Sequence, residues 1–304
     1  MDELKIYVAC CKTDLYLLKS CIASIRYWNK AVAVSLLKDF SQGDFDTTEL
    51  EQVFNVSVVT TKYKKMGAYM KLHPFIEATD ERIFLQDSDM VWLGDITPLI
   101  NDCDKDIAIH TYAPPVTEDE LNKWYFNTAK LNQYYPAYKY PGFVFNTGTV
   151  FLNKRVFFAN DLTGIITWHE GATPIHDDVF LCEDQGIINY IVAEKYLAHT
   201  ISIADIPLQV APETTGAIDY NLDKIKAKVE WKIIVHWFGK KNGLNGFCTA
   251  HHLLRFYEKE YFSHLKYGYI KMLVQRMKRT CKHPGRFMYE LGKKIYYAFI
   301  PRKK

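Results

Sequence analysis

No run of about 18 apolar residues occurs in the 304-residue chain, so no bilayer-spanning helix is expected. The opening residues, MDELKIYVACC, have no basic segment ahead of a long apolar one, so no secretory leader is expected. Cysteine is present but unpatterned. Cys10, Cys11, Cys21, Cys103, Cys182, Cys248 and Cys281 are odd in number, irregular in spacing and without a CxxC pair. That pattern argues against a disulfide framework and against a cysteine zinc site, and a reducing, cytoplasmic setting follows as the expectation. Internal repeats and low-complexity segments are missing as well. No motif for reading nucleic acid is found, and no nucleic-acid partner is expected.

What is there is an ordinary packed composition, 48% hydrophobic and 24% charged, on a chain long enough to bury a sizeable core. Aromatics reach 15%, with 21 Tyr and 18 Phe. This suits sugar-stacking surfaces, an interfacial membrane contact or simply an aromatic core. The net charge of +3 conceals an asymmetry. Eleven of the 38 Lys and Arg residues, but only Glu290 among the 35 acids, lie between Lys271 and Lys304. An acidic body therefore carries a strongly basic tail, and such a tail usually has an anionic partner.

Strand and helix signals alternate through the first half. Leu4 to Cys11, Ala31 to Leu37, Val56 to Thr60 and Arg82 to Gln86 read as strands. Asp14 to Trp28, Thr47 to Phe54 and Gly67 to Ala78 read as helices, the first with Thr13 or Asp14 as its cap and the last despite Pro74. This order predicts an α/β architecture with a largely parallel sheet. Further on, Thr117 to Gln133 and Glu183 to Ala193 read as helices. Ile107 to His110 and Lys232 to Trp237 read as strands, and Phe143 to Leu152 as a strand pair or a bent strand.

Three segments carry chemistry. In RIFLQDSDMVWLGDITPL, residues 82 to 99, an apolar strand ends in Asp87-Ser88-Asp89. Ligand sites in α/β sheets lie beyond the carboxyl ends of strands. Two carboxylates crowded there suit a divalent cation that also holds diphosphate oxygens; the alternative is an ordinary polar turn. In IIVHWFGKKNG, residues 233 to 243, a strand ends in His236, followed by Gly239, Lys240 and Lys241. An imidazole can ligate a metal, glycine admits a phosphate close to the backbone, and lysine adds positive charge; a buried histidine and a solvated turn explain the same residues. In FVFNTGTVFLN and LCEDQGIINYI, the polar residues Asn146, Thr147, Glu183, Asp184 and Gln185 interrupt apolar runs. They could hold sugar hydroxyls, or mark a strand bend and a helix start.

Taken in order, these segments resemble glycosyltransferase family 8, above all its bacterial lipooligosaccharide galactosyltransferases, with glycogenin more distant. The resemblance runs from about residue 4 to 243. It rests on Lys71-Leu72, Asp87-Ser88-Asp89, Ile96 to Leu99, Phe145 to Gly148, Asp184-Gln185, His236 to Gly239 and the opening helix with SCIASIRYWN. It implies a glycosyltransferase A-type fold: a single nucleotide-binding α/β domain with a mixed, mostly parallel central sheet. Asp87, Asp89 and His236 would hold Mn²⁺ or Mg²⁺, and Ala9 and Cys10 would lie near the nucleotide base. Ser88, Lys71, Asn146, Thr147, Gly239, Lys240 and Lys241 would contact the UDP-sugar donor. Asp184 would hold donor-sugar hydroxyls and Gln185 would face the anomeric carbon in a retaining transfer. Three positions depart from the family pattern: Tyr69 where an Arg is common, Asn242 where a Lys is expected, and Gly186 where an acid often follows Asp-Gln.

The expected organisation is a catalytic domain over 1–250 and a helical, basic, aromatic tail over 251–304 that meets an anionic membrane surface. The expected function is hexose transfer, galactose or glucose, to an oligosaccharide or glycolipid acceptor in lipopolysaccharide or capsule assembly, on the inner face of the cytoplasmic membrane. A nucleotidyltransferase is the alternative enzyme, but VACCKTD lacks the glycines of a phosphate loop. A non-catalytic carbohydrate- or membrane-binding relative is the other alternative.

Overall fold

The structure, a computed structural model, describes residues 3–59, 61, 63, 65–77, 82–111, 116–213, 220–238 and 248–282. In chain order the elements are β1 (Leu4–Cys10), α1 (Leu15–Trp28), β2 (Ala33–Lys38), α2 (Thr48–Phe54), β3 (Ser57–Val58), α3 (His73–Glu77), β4 (Arg82–Asp87), β5 (Met90–Trp92), α4 (Thr97–Asn101), β6 (Ile107–Ile109), α5 (Glu118–Trp124), α6 (Thr128–Tyr134), β7 (Thr149–Leu152), β8 (Ile166–Trp168), β9 (Ala172–Pro174), α7 (Asp184–Leu197), β10 (Ile203–Asp205), β11 (Gln209–Val210), α8 (Leu222–Lys226), β12 (Ile234–His236), α9 (His251–Ser263) and α10 (Gly268–Lys282).

The main sheet has the order β10-β6-β7-β4-β1-β2-β3. All its pairings are parallel except those of β7, which runs antiparallel to β4 and β6. This is the mixed, mostly parallel sheet that the alternating pattern predicts. A small sheet, β11-β12-β5, branches from its end, with β12 antiparallel to β5. Side chains alternate along a strand, so β1 sends Ile6, Val8 and Cys10 into one core cluster and Tyr7 into the other. The first cluster lies under α1 and α9, the second under α7.

Helix α1 buries Leu17, Leu18, Cys21, Ile22 and Ile25, the helically spaced apolar stripe of the sequence. Its start is a 3₁₀ turn over Lys12–Asp14, and neither Thr13 nor Asp14 caps it through a side chain. Three other expectations are corrected. The segment Thr117 to Gln133 is two helices. Asn127 breaks it, because its side chain caps α6 at Lys130 N (3.1 Å) while its N–H bonds Val179 O (2.9 Å). Only Thr149–Leu152 of the expected strand over 143 to 152 is regular. Phe145 bonds the side chain of Asn189 through both its N–H and its C=O, each at 2.9 Å, and pairs with Thr111 only as an isolated antiparallel bridge. The helix expected from Gly67 begins as a 3₁₀ turn over Gly67–Leu72 and is α-helical only from His73.

The tail does not hang free where it is described. Helix α9 buries Leu253, Leu254, Tyr257, Tyr261 and Phe262 in the first core cluster. The Tyr257 hydroxyl donates to Trp92 O (2.7 Å), and Tyr261 stacks on Phe54 at 4.8 Å between ring centroids. Helix α10 is tied to α9 by Glu258, which is fully buried and accepts from Arg276 Nε and Arg279 Nη2, both at 2.8 Å. Pro284, Gly285 and Pro301, expected to divide the tail, lie outside the described residues. Among the described residues, no helix is long and apolar enough to cross a membrane.

Candidate active site

The site forms where β4 passes into β5. Asp87 is the last residue of β4, and its N–H bonds Gly148 O at 3.0 Å. Ser88 is buried in the intervening turn. Asp89 leads into β5, and its carbonyl accepts Trp237 N at 3.0 Å. That second bond belongs to the β5–β12 pairing, which sets His236 opposite Met90. Two short paired strands thus bring together residues almost 150 positions apart. His236 Nε2 lies 3.3 Å from Asp89 Oδ1 and 3.7 Å from Asp87 Oδ2. One ligand atom from each of Asp87, Asp89 and His236 falls within 4.8 Å of the others. Asp89 and His236 are buried and Asp87 is half-buried. Carboxylate oxygens plus one imidazole nitrogen, without sulfur, form a donor set that fits Mn²⁺ or Mg²⁺. Gly148 is required beside it. A Cβ there would come within 2.5 Å of His236 Cε1 and 2.6 Å of both Asn146 Oδ1 and Met90 Cε.

Lys71, on the 3₁₀ turn, reaches into the same cluster. Its Nζ is 2.9 Å from Asp87 Oδ1 and 3.0 Å from Asp184 Oδ2. Burial disfavours the ammonium, but the two carboxylates outweigh it and raise the Lys71 pKa, so the lysine stays charged. Asp184 opens α7 and is itself buried. Burial pushes its pKa up, while Lys71 and the hydroxyl of Thr147, which donates to Oδ2 at 2.7 Å, pull it down. Lys71 and Thr147, expected at the donor, are therefore also committed to Asp184. Asp87 divides its oxygens, one toward Lys71 and one toward His236.

Next to this pair lies a row of amides. Gln185 Nε2 donates to Trp124 O (3.0 Å), and Gln185 Oε1 accepts from Asn146 Nδ2 (3.1 Å). Asn146 Oδ1 accepts from Gly148 N at 2.8 Å. Gln209, a buried residue on β11, donates from Nε2 to both Asn146 O and Asn146 Oδ1 at 3.5 Å, and its Oε1 is 3.1 Å from His236 Nδ1. Gln209 belongs to no motif; IPLQVAP offers only a polar residue in a short apolar run.

Not every expected residue joins the cluster. Ala9 pairs with Asp87 across β1 and β4. The thiol of Cys10, by contrast, turns into the core toward Leu37 O at 3.5 Å, and burial pushes its pKa up. Only the backbone of Cys10 faces the strand end, where its carbonyl accepts from Asp39 N at 2.9 Å. Gly239, Lys240 and Lys241 lie outside the described residues. Tyr69 is half-buried, and burial together with the charges of Glu183, Asp184 and Asp177 pushes its hydroxyl up to about 12. Gly186 has no room for a side chain, because a Cβ would sit 2.5 Å from Tyr125 O. The acid common in the family at that position does not fit here.

No protein-family model and no curated protein matches the sequence. Solved structures do match the fold. The galactosyltransferase LgtC, in complex with donor and acceptor sugar analogues, superposes with a TM-score of 0.56 at 15% identity, over 85% of this chain and 95% of LgtC. The glycosyltransferase GlyE of Streptococcus pneumoniae in its apo form gives 0.55 at 14%, over 91% of this chain and 64% of GlyE. The bifunctional glycosyltransferase WbbM gives 0.54 at 13%, over 91% of this chain and only 52% of WbbM, so this chain spans about half of that protein. The chain thus has the α/β fold of these glycosyltransferases, the A-type fold that the sequence resemblance implied.

Proposed function

We propose that the chain is a metal-dependent, retaining hexosyltransferase that moves galactose or glucose from a UDP-sugar to a saccharide or glycolipid acceptor. The observation that carries this reading is the convergence of Asp87, Asp89 and His236 at a strand end, beside the Lys71–Asp184 pair. LgtC, a galactosyltransferase of similar fold, supports it, and a structure of an LgtC variant replaces an active-site glutamine. Asp87, Asp89 and His236 would hold Mn²⁺ or Mg²⁺, which would supply positive charge to offset that of a departing diphosphate.

The chain's own residues supply the rest. Asp184 offers a carboxylate oxygen, and Asn146 the second N–H of its amide, to donor-sugar hydroxyls. Gln185 is held at both ends of its amide, so it meets the anomeric carbon already oriented, and less entropy is lost on reaching the transition state. No carboxylate in the cluster is spare for a covalent glycosyl intermediate: Asp184 is tied to Lys71, and Asp87 and Asp89 belong to the cation. The bond from the anomeric carbon to phosphate oxygen breaks, the acceptor oxygen bonds the same face, and the acceptor proton passes to the departing phosphate. Lys240 and Lys241 are assigned to that phosphate.

We further assign the protein to lipopolysaccharide or capsule assembly at the inner face of the cytoplasmic membrane. Helix α10 is the attachment element, where the sequence alone placed the whole of 251–304. Tyr257, Tyr261 and Phe262 are core residues and cannot serve, but Ile270, Leu273, Val274 and Met277 line the outer face of α10 at helical spacing, 39–64% exposed. Lys271, Arg276 and Arg279 are engaged with Glu49 and Glu258, so the anionic surface is met by other bases of the tail.

The test is release of UDP from UDP-galactose and UDP-glucose with and without Mn²⁺. Release that needs Mn²⁺ and stops with chelator is expected. Release indifferent to chelator, or no turnover of any nucleotide-sugar in Mn²⁺, overturns the proposal.

A further inference from the structure

The amides beside the cation site run in a single direction, and that direction fixes which nitrogen of His236 carries the proton. The backbone carbonyl of Trp124 can only accept, so Gln185 must turn its NH₂ toward it and its oxygen toward Asn146. Asn146 must then offer its NH₂ to Gln185 and its oxygen to Gly148 N, a group that can only donate. Gln209 faces that same Asn146 oxygen and the Asn146 backbone carbonyl, two acceptors. Its NH₂ must lie on that side and its oxygen on the side of His236 Nδ1. Donors and acceptors therefore alternate from Trp124 O to the imidazole with no amide free to flip.

We infer that Gln209 is the positioning residue of the cation site. It locks His236 as the Nδ1–H tautomer and directs the Nε2 lone pair toward Asp87 and Asp89. Three lone-pair donors then face one another, an arrangement that a cation resolves. Gln209 is suited to the task because it is buried and held at both ends of its amide. Gly148 packs against the ring at Cε1, where no Cβ fits. Partners that orient a ligating histidine in this way typically change metal affinity by about 10- to 100-fold when removed. Because Gln185 belongs to the same row, the proposed catalytic amide and the metal ligand are held by one network. The inference rests on the metal reading of the preceding section.

The test pairs Gln209→Leu with Gln209→Glu, each checked by thermal melting against the wild-type chain. Mn²⁺ affinity is read by electron paramagnetic resonance, and the His236 ring by ¹⁵N NMR of metal-free protein in mildly alkaline buffer. Gln209→Leu loses the acceptor and is expected to bind Mn²⁺ about 10- to 100-fold more weakly. Gln209→Glu keeps an acceptor for Nδ1–H but loses the donor toward Asn146, so its Mn²⁺ affinity is expected to fall between those of the wild-type chain and Gln209→Leu. The wild-type ring is expected to carry its proton on Nδ1, and the Leu variant to lose that preference. A wild-type proton on Nε2, or a folded Gln209→Leu that binds Mn²⁺ as the wild-type chain does, overturns the assignment. Equal weakening by Leu and Glu overturns it too. If the wild-type chain binds no Mn²⁺, the metal reading fails instead, and the NMR alone decides the role of Gln209.

Discussion

Replacing Lys71 by Met removes the ammonium that joins Asp87 and Asp184 and keeps most of the side-chain bulk. Asp184, 4% exposed, is then left with Thr147 as its partner and no cation. Removing one member of a buried pair costs about 3–5 kcal/mol, since the other charge stays buried. Asp87 is 24% exposed at its side chain, so water partly screens that half, and the lower figure of about 3 kcal/mol is expected. At about 2–4 °C per kcal/mol for a chain approaching this size, Tm falls by about 6–12 °C. The sign of the pH dependence follows from Asp184. Burial raises its pKa against the pull of Lys71, and losing Lys71 raises it further. A carboxyl whose folded pKa exceeds its unfolded value binds its proton more tightly in the folded state, so stability grows as pH falls through that pKa. The deficit of Lys71→Met therefore narrows on acidification, and Asp184→Asn in the same background recovers part of it. Urea unfolding of the single and double variants at several pH values is the assay. A Lys71→Met protein that melts with the wild-type chain, or a deficit that widens in acid, refutes the reasoning.

Asp89→Ala and His236→Ala are each expected to lower metal-dependent donor turnover by about a hundredfold or more; turnover near the wild-type rate in a folded Asp89→Ala removes the site. Gln185→Ala is expected to lower kcat more than it raises KM. NMR of the first product from an α-linked donor is expected to show an α-linkage, and a β-linked product sinks retention. Gly148→Ala forces a Cβ against His236 and Asn146. A loss of about 1–3 kcal/mol with weaker Mn²⁺ binding is expected, and an unchanged melt and affinity contradict the described geometry. The full chain is expected to sediment with anionic liposomes and to be released by high salt. Ile270→Glu combined with Met277→Glu is expected to abolish sedimentation with little effect on folding. Truncation at His264 is a poorer test, because it strips buried Glu258 of both its arginines. Sedimentation that survives the double substitution rules out this face of α10.

Much of the fold was legible because its signals are local. The apolar stripe of α1 and the run from Arg82 to Gln86 each define an element without help from elsewhere. Asp87 and His236 each end an apolar run, but it was the family resemblance that joined them with Asp89 into one set, and the structure brings a ligand atom of each within 4.8 Å of the others. What sequence reasoning missed depends on long-range partners. The break at Asn127 follows from its bond to Val179, about 50 residues away. The irregular backbone at Phe145 answers to Asn189. Cys10, which the resemblance set near the nucleotide base, can present only its backbone at the strand end, because the alternation that buries Ile6 and Val8 buries its thiol as well. Gln209 had no more signal than a polar residue in a short apolar run; its contact with His236 exists only after β11 has paired with β12.

The position of the Asp87-Ser88-Asp89 turn gives the site a mechanical character that neither sheet has alone. Asp87 is anchored to the seven-stranded sheet through Gly148, and Asp89 to the small sheet through Trp237. His236 belongs to the small sheet, whereas Asn146 and Gly148 enter β7 of the large one. The Asp87–Asp89–His236 cluster therefore spans the two sheets, and the contact between Gln209 and Asn146 crosses between them. The relative placement of the two sheets thus sets the spacing of Asp87 from His236. On the small-sheet side, β5 is backed by α1 and α9: Ser24 Oγ accepts from Trp92 N, and Tyr257 donates to Trp92 O. The aromatic residues of α9, which the sequence suggested for a membrane face, instead pack into the core behind β5. The basic tail thus begins as part of the folded body, and its first helix backs the strand that follows Asp89.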